Sequence, residues 1–514
     1  MCPKRCIQVK ELSRSKKTFL NTLVKLIFQV VTIVVGLIVP RLIISNYGSS
    51  YNGVVSSITQ FLSISSILAM GIAGAMRTEL YKTLANNDIE GTSKIVKSTQ
   101  HTFNRIGRVF IFYALLLAIF YPLFAKNQVD WFDTLLLVII LAVTTFSEYY
   151  LGQTYYFLLE ADQSVYVVTT FRIIVQVLNA ILTYLLIFAG ASLVVLKLVV
   201  AIITCSVPFI TKAYAFKKYK INKNCELDTT LLKQRKASMF HSVANIIHDR
   251  TDSVLLTLFT DFATISIYTV FYSVVGNIKT LMQNFLTGLE AGFGNMWAKG
   301  EYDLYKKHFN TYEFIVSSFV SIIFTCLVIL LIPFITLYTS GIKDANYILP
   351  VFGMLICASE VLYCFRQPYT TAIQSVGHYK QTKHIAAIEA GLNLTVSVVL
   401  VILLGLNGVI IGTIVANLYR TLHYGVYASK NILKRNFVFI IFRILWSVLN
   451  MALVVIIYKL LIEQFTIVTW GDWIIHGVIV FVISTIITVL SAIVFYKKDF
   501  INMLKFVKNI FRRK

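Results

Sequence analysis

The sequence predicts an all-α polytopic membrane protein with about 14 transmembrane helices, and three observations predict it. Hydrophobic residues make up 57% of the 514 positions and charged residues only 14%, with a mean hydropathy of +0.74. A soluble domain needs far more polar surface. Apolar runs of about 20 residues recur along the whole length, each able to cross a bilayer as a helix, whereas barrel strands would give short alternating segments. Finally, Lys and Arg concentrate in every second loop, as helices that alternate in direction require.

The spans fall near 18–39, 53–75, 106–125, 132–157, 165–189, 192–214, 238–260, 263–290, 311–338, 346–373, 382–404, 407–428, 440–462 and 472–495, each about 20 residues or somewhat longer. They group into a basic leader (1–17), a first six-helix bundle (18–214), a basic linker (215–237), a second six-helix bundle (238–428), two further helices (429–496) and a basic tail (497–514). Lys4, Arg5, Lys10, Arg14, Lys16 and Lys17 fill the leader, and Lys212, Lys217, Lys218, Lys220, Lys223, Lys233, Arg235 and Lys236 fill the linker region. Lys505, Lys508, Arg512, Arg513 and Lys514 end the tail, whereas the opposite loops carry little beyond Arg41, Lys126 and Lys343. That asymmetry predicts cytoplasmic termini.

The net charge of +23 would point to nucleic acid in a soluble chain. Here it belongs to the loops, with a share available to an anionic substrate. No cleavable signal peptide is expected, because the first apolar run is long and lacks a small-residue cleavage site. The seven cysteines are scattered, mostly within apolar runs, and read as packing residues. No nucleophile triad, P-loop or zinc motif is present in the sequence, and the loops are too short for a catalytic domain. The expectation is a transporter with no cofactor, catalytic residue or metal site, driven by an H⁺ or Na⁺ gradient, by the membrane potential or by substrate flux.

Two stretches repeat. "VYVVTTFRIIVQVLNAILTYLLIFAG" (165–190) and "HYKQTKHIAAIEAGLNLTVSVVLVILLG" (378–405) each begin near a Tyr, place an Asn mid-helix and close on a Gly. The anchors are Tyr166, Asn179 and Gly190 against Tyr379, Asn393 and Gly405, with spacings that differ by one residue. Spans 1–6 and 7–12 would then be related halves, a plan used by transporters.

"PRLIISNYGSSYNGVVSSI" (40–58), "RTELYKTLANND" (77–88) and "EAGLNLTVSVVLVILLGLNGVIIGTIVANLYR" (389–420), taken in order with the span count, resemble one family. It is the polysaccharide flippase branch of the multidrug/oligosaccharidyl-lipid/polysaccharide exporter superfamily. The resemblance implies two pseudo-symmetric six-helix bundles forming a V-shaped central cavity, plus two C-terminal helices. It also implies movement of undecaprenyl-diphosphate-linked oligosaccharide across the membrane. Gly408 and Gly412, at i and i+4, would allow close helix approach.

Charges within spans are costly and usually face a bundle interior or a wet cavity. The candidate cations are Lys25, Arg172, Lys197, Arg250, Lys279, Arg366 and Arg420. Arg250, Lys279, Arg366, Arg172 and Lys25 form the expected cationic, substrate-binding set, suited to a lipid diphosphate because Arg can grip phosphate oxygens in pairs. Lys25, Arg172 and Arg420 lie near span ends, where snorkelling to the interface is the simpler account. The candidate acids are Glu148, Asp249, Asp252, Glu290, Glu360 and Glu389. Asp249, Asp252, His248, Glu360 and Glu389 are the expected ion-coupling or gating set. The alternative for each is a static ion pair. Glu360 and Arg366 are not helix neighbours, so each needs a partner elsewhere.

"NIIHDRTDSVLL" (245–256) concentrates these groups, with Asn245, Asp249 and Asp252 on one helix face and Arg250 about 100° from Asp249. Two other readings stand beside an intramembrane role: the span begins only at Ser253, or the cluster is a static brace.

The function expected from these residues and the resemblance is flipping of lipid-linked oligosaccharide repeat units for surface polysaccharide synthesis, by alternating access. Glycosyltransferases and a polymerase would be pathway partners, together with membrane lipids and without nucleic acid. The alternatives are a multidrug exporter of the same superfamily, a membrane polysaccharide polymerase or ligase, and a scaffold.

Overall fold

Long apolar runs bounded by Pro, Gly and capping acids become long helices, and the computed structural model shows how they associate. It describes residues 14–66, 76–77, 79–125, 128–219, 221–222, 225, 250–462 and 466–512. Among these residues all regular secondary structure is helical. The helices are α1 (Arg14–Tyr47), α2 (Ser49–Ile64), α3 (Ile89–Ala125), α4 (Trp131–Ala161), α5 (Val165–Phe188), α6 (Leu193–Lys218) and α7 (250–259). They continue with α8 (Phe262–Ala298), α9 (Tyr302–Tyr338), α10 (Pro350–Ser375), α11 (Tyr379–Leu404), α12 (Leu406–Ala428), α13 (Val438–Leu461), α14 (Trp470–Phe495) and α15 (Lys497–Arg512).

Each predicted span overlaps a described helix, although 67–75 of the second and 238–249 of the seventh lie outside the described residues, and among the described residues nine helices are long and apolar enough to cross a membrane. The chain is a multi-pass membrane protein. Several helices outrun their hydropathy boundaries. α3, α8 and α9 each have 37 residues, or about 55 Å, against an apolar layer of about 30 Å. Hydropathy stops at the first charges, whereas backbone hydrogen bonding continues through them.

Local chemistry sets the ends. The Asp130 carboxylate accepts the Phe132 and Asp133 amides at the start of α4, and Asp261 accepts the Thr264 amide 2.6 Å away at the start of α8. Thr469 and Asp472 cap α14 reciprocally. Gly405, at φ +55°, lets the chain reverse between α11 and α12 with no longer loop.

Contacts divide the chain into two units, residues 1–46 with 61–239 and residues 47–60 with 240–514. In the first, α4 packs against α3 and α6, and α5 packs against α6. A π-helical turn, Ser147–Gly152, interrupts α4 where Gly152 meets Pro208 of α6, which leaves no room for a larger side chain. Below it Asp162, just past α4, accepts hydrogen bonds from Lys218, Tyr219 (2.6 Å) and Ser164 (2.8 Å), with the Lys17 ammonium 3.5 Å away.

In the second unit, α11 and α12 form the closest pair. A Cβ on Gly408 would overlap the Leu400 carbonyl, and one on Gly412 would overlap Ser397, so only glycine permits this separation. α12 also packs on α10, and α9 runs against α10, α13, α14 and α15. Residues 47–60, the start of predicted span 2, group with this unit for a polar reason. Ser49 bonds Tyr347 (2.7 Å), Asn52 bonds Ser266 (2.8 Å), Ser57 bonds Thr257 (2.6 Å), and Gly53 lies against the Phe262 carbonyl.

Candidate functional site

Six of the charges buried in the second unit, three of each sign, come from five consecutive or neighbouring helices. Asp252 comes from α7, Lys279 from α8, Glu360 and Arg366 from α10, Glu389 from α11 and Arg420 from α12. None of the six is more than 7% exposed. In a medium this apolar, such groups persist only when paired and hydrogen-bonded.

Glu360 and Arg366 do find partners on other helices. The Lys279 ammonium lies 3.4 Å from Glu360 Oε1 and 4.0 Å from the centre of the Tyr363 ring. Arg366 approaches the same ring at 4.7 Å, donates to Asn417 Oδ1 at 3.1 Å, and stands 4.0 Å from Glu389. Asn417 in turn donates to the Ser359 hydroxyl and carbonyl. Arg420 donates to Glu389 at 3.2 Å and to the Tyr424 hydroxyl at 3.1 Å. Glu389 thus serves two guanidinium groups, and Tyr363 separates two cations with its ring. Glu360 Oε2 is buried with no hydrogen-bond partner among the described residues.

Asp252 is met by two hydroxyls from other helices. Its Oδ1 accepts from Thr413 at 2.8 Å and its Oδ2 from Tyr268 at 3.4 Å, while Asn393 donates to the Thr413 oxygen at 3.4 Å.

The first unit treats its charges differently. Arg172 on α5 and Glu148 in the π-helical turn of α4 pair at 3.3 Å, with side chains 28% and 49% exposed, and Arg172 also lies 5.0 Å from the Tyr156 ring centre. They line a cavity of about 320 Å³ with Thr32, Gln176, Asn179 and Thr204. Asn179 donates to Thr204 at 2.9 Å.

The remaining predicted residues are placed as follows. Lys25 is exposed on α1. Arg250 opens the described part of α7, partly buried, and donates to Gln60 Oε1. His248 and Asp249 lie outside the described residues. Glu290 is partly buried near the end of α8. Arg420 corrects the snorkelling account. It is near a span end by count, but α11 brings Glu389 to it and leaves it 3% exposed.

Sequence reasoning missed a further buried cluster. Glu313, early in α9, is 3% exposed and receives Arg435 at 2.6 Å and the Tyr369 hydroxyl, with Arg443 4.0 Å away. Arg443 continues to Asp499 of α15 and lies 4.1 Å from the Tyr496 ring centre. Two signals were available, an acid inside span 9 and an Arg inside the apolar run "FIIFRILW".

The repeat extends to hydrogen bonds. Asn179 of α5 donates to a Thr of α6, and Asn393 of α11 donates to a Thr of α12. Gly190 (φ +72°) follows α5 as Gly405 follows α11.

No protein-family model matches the sequence, and no curated protein matches it. Solved structures do match. The chain is similar to "Lipid II flippase MurJ, inward closed conformation", with a TM-score of 0.68 and 14% identity, covering 93% of this chain and 99% of that one. It is similar to an inward-facing multidrug resistance MATE family transporter of the MOP superfamily, at TM-score 0.55 and 13% identity over 82% and 94% of the two chains. It is also similar to the MATE multidrug transporter DinF-BH, at TM-score 0.56 and 16% identity over 83% and 99%. The chain therefore has the helical-bundle fold of the MOP exporters, the superfamily that its sequence resembles.

Proposed function

We propose that this protein flips undecaprenyl-diphosphate-linked oligosaccharide across a bacterial cytoplasmic membrane by alternating access, with both termini cytoplasmic. The observation that supports it most is the set of buried, exchangeable ion pairs in the second unit. A diphosphate entering an apolar layer needs cations to offset lost hydration, and Lys279 and Arg366 are buried cations whose carboxylate partners stand at 3.4 and 4.0 Å. The phosphate oxygens take these cations from Glu360 and Glu389. The displaced carboxylates are then open to a proton, and when they recover the cations on the far side the head group is released. Tyr363 holds both cations on its ring during the exchange. Asp252, with Thr413 and Asn393, is the second coupling position and takes H⁺ or Na⁺. Arg172 and Lys25 supply cationic contacts in the first unit, Arg250 supplies one in the second, and Asp249 and His248 join the ion-coupling set. The sugar repeat is built by glycosyltransferases and consumed by a polymerase, and nothing in the mechanism uses a cofactor.

The test separates structure from transport. Replacing both members of one pair, as in Lys279→Met/Glu360→Leu, strands neither of the two opposite the other's missing charge, and retained folding is checked by the elution profile and thermal midpoint. Flipping of head-group-labelled lipid by this variant in proteoliposomes should fall at least about tenfold, the cost of about 1.4 kcal/mol of lost head-group stabilisation. An imposed H⁺ or Na⁺ gradient should accelerate the unaltered protein. Wild-type flipping by the double variant would reject the assignment of this pair. Transport of a cationic dye in place of the labelled lipid would favour the multidrug alternative.

A further inference from the structure

α15 follows the last membrane-crossing helix almost without interruption. α14 has 26 residues, about 39 Å, which exceeds the apolar layer of about 30 Å. Its helix ends at Phe495, Tyr496 turns the chain at φ −133° and ψ 34°, and α15 begins at Lys497. The start of α15 is thereby held at a membrane surface.

Its rotation about its own axis is fixed too. Asp499 binds Arg443, and Phe500 and Met503 pack against the cluster of Phe314, Trp446 and Ala492. With that face turned inward, Lys497, Lys498, Ile501, Leu504, Lys505 and Lys508 are exposed. At 100° per residue these six occupy one arc of about 120°. The arc holds four lysines, no acid and two aliphatic side chains that are 39% and 50% exposed. A purely solvated face has no use for the two aliphatics, and a protein-packing face would not carry four lysines. Together they fit a leaflet surface, where aliphatic side chains enter the headgroup layer and lysines meet phosphates.

We infer that α15 is a surface helix that holds anionic phospholipid headgroups of the leaflet at which α14 ends. The Asp499–Arg443 pair and the Phe500–Met503 contact orient the helix so that the lysine-rich arc faces those headgroups.

The test uses the full chain in nanodiscs of phosphatidylcholine alone and of phosphatidylcholine with a third of phosphatidylglycerol. Backbone hydrogen exchange over 497–508 should slow at least about fivefold in the anionic discs, and this protection should weaken with added salt. The variant K497Q/K498Q/K505Q/K508Q should lose the difference between discs, while exchange in α9 and α13 stays as in the unaltered protein. Ile501→Ser/Leu504→Ser should lose part of it. Equal exchange in the two discs, or a difference that survives in the quadruple variant, overturns the inference. Protection by added polyglutamate but not by phosphatidylglycerol overturns it in favour of an acidic protein partner.

Discussion

The first and second units carry one helical repeat and use it in opposite ways. In the first, Asn179 and Thr204 border an open cavity whose ion pair, Glu148 with Arg172, is partly exposed. In the second, Asn393 and Thr413 join a closed network in which every charge is buried. The signs are exchanged as well. The acid sits on α4 and the base on α5 in one half, whereas the base sits on α10 and the acid on α11 in the other. A shared scaffold thus places polar groups at matching positions without fixing their solvation, and solvation decides what a charge is worth.

The sharpest way to break this comparison is to neutralise the acid of each pair. Glu389→Gln should remove the carboxylate that Arg366 and Arg420 share in a buried setting, costing about 3–5 kcal/mol and lowering the thermal midpoint in detergent. Glu148→Gln, at the exposed pair, should change stability by less than about 1 kcal/mol. Equal losses would mean that the two environments do not differ as their exposures indicate.

A second substitution tests why the later network is closed. Gly412→Ala forces α11 and α12 apart at Ser397, and a loss of about 1–3 kcal/mol is expected from overpacking. Asn393 should then separate from Thr413, which faster exchange at the 393 and 413 amides would report.

The smallest of the graded effects concerns the first unit's hub at Asp162. Burial alone would raise this carboxyl, but the hydrogen bonds from Lys218 and Tyr219, the Lys218 charge and Ser164 hold it below the usual carboxylate range. A group depressed in the folded state contributes stability that is complete above its unfolded pKa, near 4, and is lost as pH falls through its lower folded value. The thermal midpoint should therefore drop on acidification below about pH 4, and Asp162→Asn should cost about 1–2 kcal/mol at neutral pH while flattening that acid limb.

How much could be read beforehand follows from range. Helix identity rests on local apolar runs, so the helices of the described residues were legible, and so were Gly408 and Gly412, four residues apart on one helix. Lys279, Arg366, Glu360, Glu389 and Asp252 were legible as individual charges in apolar surroundings. Their partners were not, because the pairs join residues such as Lys279 and Glu360 on different helices. Arg420 was misjudged because distance to a span end ignores what a neighbouring helix brings. Glu313 was passed over because an acid near a span boundary looks like a loop residue until Arg435 and Tyr369 enclose it.

The length of α8 and α9 has a mechanical consequence. These antiparallel helices meet at a turn flanked by Lys299, Glu301 and Asp303, and Trp297 stacks edge-on against Tyr302 at 4.8 Å to close it. About 25 Å of each helix is surplus to the apolar layer. If this surplus projects at the turn end, the pair acts as a pointer. A tilt of about 10° inside the membrane swings its tip by about 4 Å, taking the projection as a rigid rod of 1.5 Å per residue. Small rearrangements around Lys279 would thus be magnified at a place where a spectroscopic reporter can be attached without touching the buried charges.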